Sequence, residues 1–119
     1  MTKPIQWLGD SINRVREFSE TGRYHTGREL RRVQQGEMPT DWKPMITIGP
    51  GVAEIRVHAG NEYKIIYIAK FEEAVYVLHG FTKKTQQTSK RDLDLAAKRY
   101  KELQNERAKN ERTSEKDQR

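Results

Sequence analysis

The chain is 119 residues long, the size of one domain, and it contains no cysteine, which excludes disulfides and thiolate chemistry. Its 23 Lys and Arg outnumber 17 Asp and Glu for a formal net charge of +6, and that balance attracts polyanions without specifying which. No apolar run approaches the roughly 20 residues of a membrane span, and no signal-like apolar stretch opens the sequence, so a cytoplasmic location with no membrane partner is expected.

Hydrophobic and charged residues each make up 34% of the chain. Averaged, that composition is close to a disordered one, but the apolar β-branched and aromatic residues concentrate between Met45 and Phe81 and nearly vanish from the C-terminal stretch. The distribution predicts one small core with a polar extension. His25, His58 and His79 show no ligand spacing, so neither a metal nor another cofactor is expected.

In chain order, "KPIQWLG" can form a short first strand. "DSINRVREFSE" follows, with Asp10 or Ser11 as N-cap and Ile12, Val15 and Phe18 on one helical stripe. "TGRYHTGRELRRVQQGE" predicts a second helix with Tyr24, Leu30 and Val33 as its apolar positions and Gly36 as its stop. It carries Arg28, Arg31 and Arg32, which are either polyanion contacts or ordinary solvent-facing residues. "MPTDWKPM" reads as a connecting loop around Pro39 and Pro44.

The period then changes. "GVAEIRVHAGNEYKIIYIAKFEEAVYVLHGF" contains three β-rich runs separated by "AGN" and by a turn at Glu72–Glu73, which predicts an antiparallel meander. "SKRDLDLAAKRYKELQNER" returns to helical spacing at Leu93, Ala96, Ala97, Tyr100 and Leu103, with Ser89 as cap. Residues 106–119 are a charged extension, helical or disordered.

The first hairpin locates the chemistry. With "AGN" as its loop, His58 faces Glu62 and Arg56 faces Lys64. Like charges directly opposite one another destabilise a sheet pair, whereas a bound polyanion would neutralise both. A two-residue turn at Glu72–Glu73 brings His79, Phe81 and Lys83 onto the same face. Each has a structural reading too: Lys64 as a solvent-facing residue, His79 as a hydrogen-bonded semi-core histidine, Phe81 as core rather than a platform for a base.

Such a cluster suits metal-free RNA cleavage. A 2′-hydroxyl attacks the adjacent phosphorus, and cations aimed at the phosphoryl oxygens stabilise the charge that develops. A lysine crowded by cations moves toward the range useful for proton transfer, and His79 titrates near neutrality unaided. Lys83 and Lys84, at a strand end, are suited to phosphate contact.

The runs "GVAEIRVHAGNEYKIIYIA" and "VYVLHGFTKKTQQTSKRDLDLAAKRYKEL" resemble the HigB branch of the RelE/ParE superfamily, its phage-derived toxin-like group. The matching pieces are Gly51, Glu54 to Arg56, Tyr63 to Tyr67, His79 to Thr85 and Ala96 to Arg99. The resemblance implies an α+β domain over residues 1–105, two N-terminal helices packed on a small antiparallel sheet with a C-terminal helix. It implies a type II toxin–antitoxin toxin, a ribosome-dependent endoribonuclease that inhibits translation and growth. Its partners would be mRNA in the ribosomal A site, ribosomal RNA and a HigA-like helix-turn-helix antitoxin, with operator DNA reached only through the antitoxin.

Position by position the resemblance implies Arg56, Lys64, Lys83 and Lys84 as site residues; chemistry alone adds His79 to this catalytic set, and Phe81, Arg28, Arg31 and Arg32 are the candidate RNA contacts. Two features depart from the family pattern. Lys64 stands where arginine is commoner, and no tyrosine follows the basic pair, so the base is His79 or a lysine. The alternative expectation is a non-catalytic relative that binds RNA or protein.

Overall fold

The computed structural model describes residues 2–84 and 88–117, with side chains as far as residue 111. Its elements are β1 (Ile5–Trp7), α1 (Ser11–Arg16), α2 (Glu20–Gln34), β2 (Trp42–Pro44), β3 (Val52–Ala59), β4 (Asn61–Ile68), β5 (Val75–Lys83) and α3 (Lys90–Asp117). Thr85, the last residue of the family-like stretch after His79, lies outside the described residues, as does the very end of the charged extension.

Alternation along the strands builds two cores. Ala53, Ile55 and Val57 of β3, with Tyr63, Ile65 and Tyr67 of β4, pack against Val15, Phe18, Leu30 and Val33 of α1 and α2. Val52, Ile66 and Ile68 point the other way and meet Ala96, Tyr100 and Leu103 of α3. The sheet therefore lies between the N-terminal helices and α3, in a period-two pattern buried on both faces.

The predicted meander is present, with Arg56 opposite Lys64 and His58 opposite Glu62 around Gly60 at φ +80. The sheet is larger than expected, however: five strands in the order β1-β5-β4-β3-β2, with β1 parallel to β5. The small antiparallel sheet is thus corrected to a mixed one. The connector expected as a loop contributes the edge strand β2, Trp42 pairing with Ile55 and Pro44 with Ala53. Proline is tolerated there because an edge strand has one side on which no donor is needed.

The second hairpin also differs from expectation. Ala69–Ala74 connect β4 to β5 in place of a two-residue turn, and a bulge shifts the register between Ile66 and Tyr67. Val75 and Val77 face the α1–α2 layer, while Leu78, His79 and Phe81 all turn to α3. One extra residue reverses the facing of everything after it.

α2 ends at Gly36 in the left-handed region, φ +87, as predicted, but its buried stripe is Gly22, Thr26, Leu30 and Val33, not Tyr24, which is exposed. The reason lies in the sheet. The Tyr63 ring occupies the space over Gly22, where a Cβ would sit 2.6 Å from the ring, and its hydroxyl donates to Ser19 Oγ at 3.0 Å. Two glycines of the same helix should consequently respond with opposite signs. Gly27→Ala, whose Cβ would meet nothing, should stabilise by up to about 1 kcal/mol through helix propensity. Gly22→Ala should lose that gain to overpacking of about 1–3 kcal/mol, and urea unfolding midpoints of the two variants measure the difference.

α1 starts at Asp10, which makes no capping hydrogen bond. Its carboxylate is used elsewhere: Arg99 of α3 donates to Asp10 Oδ1 and, at 2.8 Å, to the Leu78 carbonyl at the bulge. α3 itself is capped as expected, Asp92 N donating to Ser89 Oγ at 3.2 Å, and it continues without a break through residue 105 into the charged extension. No helix among the described residues is long and apolar enough to cross a membrane.

Candidate functional site

Beyond the α3 core, the sheet face facing that helix turns polar. Across β3, β4 and β5 run three rows: Glu54, Ile66 and His79; Arg56, Lys64 and Phe81; His58, Glu62 and Lys83. β2 adds Lys43 beside Glu54. Between this face and the N-terminal turn of α3 lies a cleft of about 440 Å³ whose walls include Lys43, Glu54, Arg56, Lys64, Lys83 and Leu93.

Lys64 is the unusual group. It is 4% exposed, and its Nζ lies 3.7 Å from Glu54 Oε1. Burial pushes its pKa below the ordinary lysine value, Glu54 opposes that shift, and the Arg56 and Lys83 cations add to it. Arg56, a third exposed, reaches the same Glu54 oxygen from its Nε at 3.5 Å. One carboxylate oxygen thus holds two cations, and the other, Oε2, is buried without a hydrogen-bond partner. The arrangement presents positive charge at the cleft, with the Lys64 ammonium held below its ordinary pKa by burial.

His79 lies in the same face but not in the cleft. It is 1% exposed, its Nε2 is 2.7 Å from Asp92 Oδ1, and its ring stacks on Phe81 with centroids 5.3 Å apart. Burial lowers its pKa against the raising effect of Asp92. In the neutral ring Nε2 donates to Asp92 and Nδ1 is left without a partner. Phe81 is buried in the α3 core and lies opposite Lys64.

The adjacent lysines part company: Lys83 lines the cleft and Lys84 lines a second cavity on the other side of the β5 end. Arg28, Arg31 and Arg32 are exposed on α2, whose buried side packs on the opposite face of the sheet. They are not brought together with Arg56 and Lys64. Sequence reasoning missed Lys43, Glu54 and Asp92. Glu54 was detectable, since E-x-R on a strand puts both side chains on one face. Lys43 needed β2, which Pro44 concealed.

At the hairpin tip His58 is held by two carboxylates, Asp41 at 2.6 Å from Nε2 and Glu62 on Nδ1. The hydrogen bond to Asp41 raises its pKa, partial burial opposes it, and Glu62 reinforces the rise. A raised folded-state value gives stability that is complete below the unfolded value of about 6.5 and is lost as pH rises through the folded one. His58→Gln should therefore lower the unfolding midpoint at about pH 5, with the difference from wild type shrinking toward about pH 9.

A comparison with curated proteins finds no match. The model of the family described as phage-derived protein Gp49-like (DUF891) matches residues 13–101, a span that takes in most of α1, all of α2, the meander with its cationic face, and α3 past Arg99. The chain belongs to this Gp49-like family, a RelE/HigB-like toxin family of toxin–antitoxin systems.

Proposed function

We propose that the protein is an endoribonuclease toxin that cleaves messenger RNA in the ribosomal A site, and that the cleft between β2 and α3 is its active site. The observation that carries this reading is the cross-strand pair of Arg56 and Lys64 above a shared buried Glu54. Within the fold Glu54 is shared between the two cations and Asp41 lies 3.9 Å from Arg56, and a phosphodiester in transit through a pentacoordinate state needs both cations.

In this reading the 2′-oxygen of a ribose attacks the neighbouring phosphorus and its proton passes to the neutral form of Lys64 Nζ. Arg56 and Lys43 meet the phosphoryl oxygens as negative charge builds on them. The bond from phosphorus to the 5′-oxygen breaks, and Lys83 supplies the proton that the leaving oxygen takes. The products are a 2′,3′-cyclic phosphate and a 5′-hydroxyl. His79 is assigned to positioning: by gripping Asp92 it fixes the N-terminal turn of α3 against the β5 end and seats Phe81 beside Lys64.

The ribosome enters because the cleft is rich in charge but poor in groups able to move a proton. Alignment of the 2′-oxygen with phosphorus is worth several kcal/mol, and a ribosome holding the message in place supplies it. A cognate antitoxin is the expected partner of a toxin of this family, and a HigA-like helix-turn-helix protein fits that role. Seclusion of His79 favours the second reading, a relative that binds RNA without cutting it.

Inducible expression with primer-extension mapping of cellular messages separates the two. The toxin reading expects growth arrest and new in-frame cuts that disappear when translation is blocked. Normal growth with intact messages at confirmed soluble expression sinks it.

A further inference from the structure

β5 is bordered unequally. β4 pairs with it as far as Lys83, whereas β1 covers only Val75–Val77 on the other side. Among the described residues no strand borders the rest of that edge. Over it lies the second cavity, of about 430 Å³, between α1 and the start of α3, with Arg14, Phe18, His79, Phe81, Lys84 and Arg91 in its walls.

Three cations, Arg14, Lys84 and Arg91, stand in its walls against the carboxylates of Glu17 and Asp92. Arg14 shares Asp10 with Arg99, so two guanidiniums divide one carboxylate. Asp92 is engaged by His79 and, at 2.6 Å, by Ser89 Oγ. Neither Lys84 nor Arg91 pairs with a carboxylate among the described residues. The ring of His79, buried and with Nδ1 unpartnered, is part of the lining.

Successive strand residues point to opposite sides, so Lys83 and Lys84 supply one cation to each of two cavities. Phe81 belongs to both neighbourhoods, opposite Lys64 on one side and in the wall of the second cavity on the other. We propose that the second cavity is a further nucleotide subsite, so that single-stranded RNA crosses the β5 end with one phosphate in the cleft and a neighbouring one held by Arg14, Lys84 and Arg91. This rests on the RNA-cleaving reading and adds to it a minimum substrate length. An extended peptide added to the same strand edge would be held by backbone hydrogen bonds and would have no use for three cations.

The test is binding of two uncleavable 2′-deoxy oligonucleotides, a dinucleotide and a hexanucleotide, followed by fluorescence anisotropy at several salt concentrations. Arg91→Ala and the Lys84→Ala/Arg91→Ala double variant should weaken the hexanucleotide, the double variant by roughly tenfold, and should lower its salt slope by about 0.7 for each phosphate that no longer meets a cation. Dinucleotide binding should stay at the wild-type level in Arg91→Ala. A hexanucleotide that binds wild type and double variant equally overturns the subsite while leaving the cleft standing. Equal weakening for both lengths overturns it as well, because the effect is then a general field. Wild type binding neither length defeats the subsite and the RNA reading together. If the double variant keeps the hexanucleotide but no longer retains a coexpressed antitoxin, the edge is a protein-docking surface and the subsite is wrong.

Discussion

Lys64→Ala should remove growth arrest on induced expression and reduce message cleavage by roughly 10²–10³-fold, the usual cost of deleting one preorganised group that stabilises developing charge. The informative companion is Lys64→Arg. Arginine keeps the positive charge and adds a bidentate fork, but with a pKa above about 12 it cannot take a proton at neutral pH. If Lys64 accepts the 2′-hydroxyl proton, the arginine variant stays nearly as slow as alanine. If Lys64 acts by charge alone, arginine restores the rate, and arginine is also the commoner residue at this place in the resembling family. Single-turnover cleavage on programmed ribosomes measures both. Thermal melts check that each variant is folded, because Lys64 is buried against Glu54 and its loss strands that carboxylate with Arg56 alone.

Arg99→Ala should be the most destabilising substitution at any charged position, at about 3 kcal/mol or more, measured by equilibrium urea unfolding. The guanidinium is buried and joins three elements: it lies on α3, binds the Leu78 carbonyl on β5, and binds Asp10 at the start of α1. Gly9, at φ +55, packs so closely on it that a Cβ there would collide with the guanidinium. Arg99→Lys should recover little, since one ammonium cannot serve the carbonyl and the carboxylate in the same planar geometry. The Arg99 hydrogen bond is also the main reason that the Asp10 carboxyl lies below its ordinary pKa. A depressed folded-state value gives stability present above the unfolded value near 3.9 and lost as pH falls through the folded one. The acid limb of the stability profile should flatten in Asp10→Asn.

The elements that follow a simple period were legible in the sequence. Residues 52–68 alternate, so the first hairpin and its facing cations could be laid out from "AGN" alone. The face of His79, Phe81 and Lys83 came out as expected through two compensating departures. The longer β4–β5 connection shifts the register by one residue, and the bulge shifts it back before His79. Nothing in "VYVLHGF" announces a bulge, because its residues are apolar in both facings. Tyr24 misled for a related reason. Helical periodicity assumes that the apolar residue faces the core, and here the sheet sends Tyr63 into a helix that answers with Gly22. β2 was hidden by Pro44, which an edge strand tolerates, and with it went Lys43.

The site was legible as a set of charges but not as a structure. Arg56, Lys64 and Lys83 converge on one cleft. The carboxylate that holds Arg56 and Lys64, Glu54, lies in the family-like stretch, but a search for cations passes over an acid. Arg28, Arg31 and Arg32, basic residues grouped by helical proximity, are parted from the cleft by the sheet.

The parallel pairing of β1 with β5 bears on how the protein is made. Ile5 reaches its partner Val75 only after the whole meander has been synthesised, and Asp10 meets Arg99 across 89 residues of chain. Loop closure over such separations is slow, and its cost is recovered only when the last element docks. On a translating ribosome, where N-terminal segments emerge first, the first strand waits without a neighbour until the start of β5 has left the exit tunnel. The fold is therefore completed by its two chain ends, as β1 and the start of α1 close onto β5 and α3.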